Sequence, residues 1–139
     1  MTDLPTLSQI EAAAQTVYAA FGPTPQYRWA TLSQRLGTDC WVKHENHTPV
    51  GAFKVRGGLT YFEHLRNTQR LPQEVISATR GNHGQSIAYA AARHGVACTI
   101  VVPRGNSIEK TPPCGPWALV WWSMVTTSKT PANTPKPSP

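Results

Sequence analysis

The chain has 139 residues, of which 40% are hydrophobic and only 14% charged, and it carries a net charge of +6 with a pI near 9.6. That length holds one ordinary domain or part of a larger one. The positive balance alone suggests a nucleic-acid or anionic-membrane partner, but the arginines at 28, 35, 56, 66, 70, 80, 93 and 104 form no basic run, and no apolar run is long enough to cross a membrane.

In chain order, Ser8-x-x-Glu11 reads as a capping box. Ile10, Ala13, Ala14, Val17, Tyr18 and Phe21 follow it at helical spacing, and Gly22-Pro23 is the stop. A short helix is expected over 32–36, ended by Gly37, and a strand over 40–44. A Pro-Gly loop then leads to Lys54, which opens a helix carrying Val55, Leu59, Phe62 and Leu65. Residues 74–79 read as a short strand, 80–84 as a turn, and 85–94 as a helix with Ile87, Ala88, Ala91 and Ala92 apolar and Gly95 as its stop. Residues 97–102 form a continuous apolar strand ended by Pro103, and Asn106-x-x-Glu109 reads as a further helix start. Strands alternating with helices predict βαβ units and a parallel sheet, and continuous apolar strands fit a sheet covered on both faces.

After Lys110 the composition changes. Residues 111–139 contain no Asp or Glu, seven of the thirteen prolines and three of the five tryptophans. Pro112-Pro113 cannot continue a helix. One reading is a disordered Pro/Thr/Ser tail, which leaves the apolar run from Trp117 to Trp122 unexplained. The favoured reading is an out-of-frame stretch: a one-base shift after Lys110 permits a helix pattern, a glycine stop and an apolar strand. The chain is therefore divided at 110, and the coding DNA around that codon is the deciding observation.

Three cysteines, Cys40, Cys98 and Cys114, are far apart and form no CxxC, so no metal site and no redox pair is expected. His44, His47, His64 and His94 read as surface or satisfied histidines. With no basic-then-apolar leader, a cytoplasmic location is expected.

The chemistry centres on Lys54, set between Phe53 and Val55 after a glycine-bounded loop. Desolvation favours the neutral amine, the form that attacks a carbonyl, so this is a setting for a Schiff-base lysine. The loop Arg80-Gly81-Asn82-His83-Gly84 precedes a helix, whose free backbone N–H groups attract a carboxylate. Taken singly, each motif is as well explained by an ordinary helix-start lysine and a plain strand-to-helix turn.

Together, Pro49-Val50-Gly51-Ala52-Phe53-Lys54-Val55-Arg56-Gly57-Gly58 and Gly81-Asn82-His83-Gly84-Gln85 resemble the two motifs of the tryptophan-synthase-β-like, fold type II pyridoxal-phosphate enzymes, and among these the threonine/serine dehydratases. The resemblance covers residues 1–110. It implies an α/β fold, a three-layer αβα parallel-sheet fragment of a two-domain enzyme. The implied activity is dehydration and deamination of a β-hydroxy amino acid to a 2-keto acid and ammonia, with pyridoxal 5'-phosphate as cofactor. Lys54 would hold that cofactor and serve as general base. Phe53 would pack near the cofactor ring, with core packing the equal alternative, and Asn82 would bond the ring oxygen. Thr79, Arg80, Gly81, Asn82 and His83 are candidates for the substrate carboxylate. The implied partner is a small amino-acid substrate. The family suggests a homo-oligomer, not expected for this fragment.

Two departures stand out. Ala52 replaces the family's usual serine, removing a hydroxyl, and Arg80 stands where related racemases place a serine base. Arg80 thus counts against racemase activity. The phosphate-cradling glycine loop and the contact to the pyridine nitrogen lie further along in family members, and nothing in 111–139 resembles either. The chain is therefore expected to be inactive alone. The alternatives are another lyase or a racemase of the same family, or a non-catalytic basic binding protein.

Overall fold

A computed structural model describes residues 4–102 and the backbone of 120–124. Its elements are α1 (Leu7–Tyr18), β1 (Gln26–Arg28), α2 (Ala30–Leu36), β2 (Trp41–Lys43), a single 3-10 turn (Glu45–His47), α3 (Lys54–Asn67), β3 (Glu74–Ala78), α4 (Asn82–Arg93), β4 (Ala97–Val102) and β5 (Val120–Met124). The fold is α/β. β3, β4 and β5 form a parallel sheet in that order, while β1 and β2 pair antiparallel in a separate ribbon.

The core is where the apolar spacing places it. Val55, Leu59, Phe62 and Leu65 of α3 are buried, as are Ala88 and Ala91 of α4, and they pack with Cys98, Ile100 and Val102 of β4. In β4 the buried residues alternate along the strand, and register pairs Val75 with Cys98 and Ser77 with Ile100. Those residues therefore share one face of the sheet, and α4 packs on it. On β3's other face Ile76 is 72% exposed. The described residues thus carry one helical layer of the expected αβα arrangement.

Four expectations change. The capping box of α1 is Thr6 with Gln9, not Ser8 with Glu11: the Thr6 hydroxyl accepts the Gln9 N–H at 3.3 Å and the Gln9 side chain accepts the Thr6 N–H at 2.8 Å. The helix ends at Tyr18, before the Gly22-Pro23 stop. α4 begins at Asn82, so most of the expected turn over 80–84 is already helix. Val120–Met124 is a strand hydrogen-bonded to β4, so a disordered tail does not describe those five residues. The expected helix start at Asn106 and the rest of the tail lie outside the described residues.

Candidate active site

Lys54 is the first residue of α3, and a buried threonine closes the loop before it. The Thr48 hydroxyl accepts the Ala52 N–H at 2.8 Å and donates to the Ala52 carbonyl at 2.9 Å. Both main-chain groups of Ala52 are thereby satisfied two residues before the lysine, and Ala52 itself is buried. The fixed hydroxyl of this loop belongs to Thr48, where the family pattern would lead one to look at position 52.

The first turn of α3 is then clamped by charge. Arg56 donates through Nε to Glu45 Oε2 at 2.7 Å and through Nη2 to Glu45 Oε1 at 3.0 Å. Thr24 donates to the same Oε1 at 2.6 Å, and the Arg56 guanidinium lies 5.2 Å over the Phe21 ring. The two-point guanidinium bond holds the Glu45 carboxyl below its ordinary range, against an opposing effect of burial. The same bond raises Arg56.

The second motif is built by close approach. Thr79 donates its N–H to the Val101 carbonyl at 3.0 Å, and its hydroxyl accepts the Gly81 N–H at 3.4 Å. A Cβ at Gly84 would stand 2.6 Å from the Thr79 methyl and 2.9 Å from Ile100 Cγ2. Only glycine lets the start of α4 lie this near the ends of β3 and β4. α3 and α4 meet in the same way. A Cβ at Gly58 would overlap the Ser86 hydroxyl and stand 2.9 Å from the Ser86 carbonyl oxygen. Ser86, 1% exposed, donates its hydroxyl to the Lys54 carbonyl at 2.6 Å.

The two helix starts open on one cleft of about 670 Å³, whose walls include Phe53, Lys54, Gly57, Tyr61, Ser77 and His83. Of the residues singled out in the sequence, Phe53, Lys54 and His83 line it together. Asn82 sits beside His83 as the first residue of α4, exposed, while Thr79, Arg80 and Gly81 form the approach to that helix and are not part of the cleft wall. Phe53 is 62% exposed, so the described residues do not pack around it as a core. Lys54 is also exposed, so the desolvated setting inferred from its neighbours is not made by the described residues. Among the described residues no group of His, Cys, Asp and Glu could hold a metal, and His94 is satisfied between the Ala90 carbonyl and Glu63.

Sequence reasoning missed Thr24, Glu45, Thr48, Tyr61 and Ser86. Two of them left a signal. Gly58 sits inside a helix at a cost of roughly 1 kcal/mol relative to alanine, which marks a close neighbour. Tyr61 follows Lys54 by seven residues, two turns along the same helix face.

The cleft is the size of a small-molecule site and its walls are largely apolar, so an aromatic ring carrying an amine-reactive group fits against Phe53 and Tyr61 with Lys54 beside it. Arg56 reaches the wall but is committed to Glu45. A set of donors for a phosphate is not found among the described residues.

An α/β fold with a helix-start lysine and a glycine-bounded loop at one cleft defines a class, and comparison with known proteins gives the same class. The family model described as pyridoxal-phosphate dependent enzyme matches residues 17–114. The chain belongs to this family, whose cofactor is pyridoxal phosphate. It is 35% identical over 100 residues to the L-threonine dehydratase biosynthetic IlvA of Haemophilus influenzae, covering 72% of this chain and 19% of that protein. It is 34% identical over 105 residues to the L-threonine ammonia-lyase of Thermotoga maritima, covering 76% of this chain and 26% of that protein. A solved pyridoxal 5'-phosphate-dependent aspartate racemase superposes over 91% of this chain and 40% of its own with a TM-score of 0.77, at 24% identity, and shows the fold. The chain spans between 14% and 26% of the length of these curated relatives and others like them.

Proposed function

We propose that this chain supplies the cofactor lysine and the carboxylate loop of a pyridoxal-phosphate-dependent ammonia-lyase acting on a β-hydroxy amino acid, threonine or serine. The observation that carries the reading is the shared cleft: the first residue of α3 and the first turn of α4 line it together. Threonine dehydratases among the relatives support the substrate class.

When bound, the cofactor supplies a conjugated ring able to take up the electron pair left when the substrate Cα–H bond breaks. The rest falls to the chain. Lys54 Nζ would hold the cofactor, and its amine is the base that would take the substrate Cα proton. The Asn82 amide would donate to the ring oxygen. Thr79, Arg80, Gly81, Asn82 and His83 are the candidates to hold the substrate carboxylate; of these His83 lines the cleft, next to the free N–H groups of α4's first turn. Phe53 and Tyr61 would give the ring an apolar wall to lie against. Residues 1–110 are read as the N-terminal part of the dehydratase domain and 111–139 as an out-of-frame stretch. The chain alone is expected to be inactive, because the phosphate loop that the resemblance implies lies beyond residue 110, nothing in 111–139 resembles it, and cofactor affinity falls when its charge-assisted bonds are lost.

Ammonia and 2-keto acid release from L-threonine and L-serine tests this in two preparations. The chain with added cofactor is expected to release neither. A chimera joining residues 1–110 to the remaining length of the Thermotoga maritima relative is expected to release both, and Lys54→Ala should abolish the release. Racemisation by the chimera without ammonia release would contradict the lyase reading. Release by the unaltered chain would overturn its inactivity.

A further inference from the structure

We propose that Ser86 is a positioning residue that sets the lysine motif and the Asn82 motif in register, an inference that rests on the reading of Lys54 as the cofactor lysine. A serine inside a helix ordinarily turns its hydroxyl back to the carbonyl four residues earlier on the same helix. Ser86 reaches across to α3 and donates to the Lys54 carbonyl at 2.6 Å, joining residues 32 positions apart. The acceptor already faces the Gly58 N–H in the ladder of α3. The bond therefore does not complete that helix; it ties one helix to another.

The packing around it serves the same end. Ser86 is 1% exposed, and Gly58 lies against both its hydroxyl and its carbonyl oxygen, so the two helices touch backbone to backbone at this point. Ser86 lies four residues after Asn82, one turn along α4. A single hydroxyl thus joins the main chain of the lysine to the turn that carries the amide. Loss of that bond should let the two helix starts slide against each other while the apolar contacts of Val55, Leu59 and Ala88 remain. The amine and the amide then no longer meet one ring at fixed separation.

Two readings on the full 139-residue chain test this, comparing the unaltered protein with Ser86→Ala. Hydrogen exchange at the second turns of α3 and α4, whose N–H groups are the first to carry full ladder bonds, should rise about tenfold or more in the variant, with protection in β3 and β4 retained. The borohydride-fixed pyridoxyl label at Lys54 should fall severalfold relative to that at Lys43, since general loosening would alter the label at both lysines together. Unchanged exchange in both second turns, or an unchanged ratio, would overturn the proposal. If β3 and β4 lose protection as well, Ser86→Cys, which keeps the volume and lacks the strong O–H donor, is read by the same criteria. An unaltered chain that shows no preference for Lys54 would overturn the reading of the cofactor lysine, and exchange alone would then decide whether Ser86 ties the helices.

Discussion

Lys54 does not choose its own place; Glu45 and Thr24, from outside the helix, choose it through Arg56 in the same first turn. Their bonds are charge-assisted and partly buried, with Glu45 and Arg56 side chains only 21% and 26% exposed. Replacing Glu45 by Gln should destabilise the chain by about 2 kcal/mol, the range for hydrogen bonds to charged groups. The pH dependence follows from the direction of the shift. The Glu45 carboxyl is lower in the folded chain than in the unfolded one, so its contribution is full above the ordinary carboxylate range and is lost as pH falls through the folded value. Arg56 shifts upward and stays charged throughout that window. Urea midpoints measured from neutral to about pH 3 should therefore fall more steeply in the unaltered chain than in Glu45→Gln. Parallel curves would remove Glu45 from this role. None of this clamp was legible in the sequence, because its members lie 11, 21 and 32 residues apart and only the folded chain brings them together.

At the scale of elements, two glycines set how α4 lies: Gly58 against α3 and Gly84 against the ends of β3 and β4. Gly58→Ala gains helix propensity yet should lose about 1–3 kcal/mol, because the new methyl meets the hydroxyl and carbonyl of Ser86. Gly84→Ala should lose a similar amount against Thr79 and Ile100. Thermal or urea unfolding checks both, and a stabilised variant would show that the close approach is not real. The long helices were readable because their apolar residues repeat at helical spacing over several turns, as Val55, Leu59, Phe62 and Leu65 do. The start of α4 was read three residues late because Gly81-Asn82-His83-Gly84 has turn composition, and tertiary packing overrides that local preference. β1 was missed because three residues, all exposed, carry no period to read. Both motifs were legible as motifs; what joins them, the Ser86 bond, leaves only Gly58 as a trace.

At the scale of the whole molecule, the described residues present a broad apolar surface. Ile76, Phe53 and Tyr61 are 72%, 62% and 56% exposed around the cleft, and Leu7 and Ile10 are exposed along α1. Surfaces of this kind drive association in water. Light scattering of the 139-residue chain should rise with concentration, and Ile76→Glu should reduce it; a monodisperse monomer at high concentration would count against the open surface. The α/β class and the parallel pairing were legible from alternating strands and helices, whereas the strand at 120–124 was not, since its surroundings read as tail.

The most direct test of the central claim is the position of the cofactor bond. The chain is incubated with pyridoxal phosphate, reduced with borohydride and digested, and the pyridoxyl group is located by mass spectrometry. The account predicts a predominant adduct on Lys54 that is absent from Lys54→Ala. Label spread evenly over the lysines, or concentrated on Lys43 or Lys110, would contradict it.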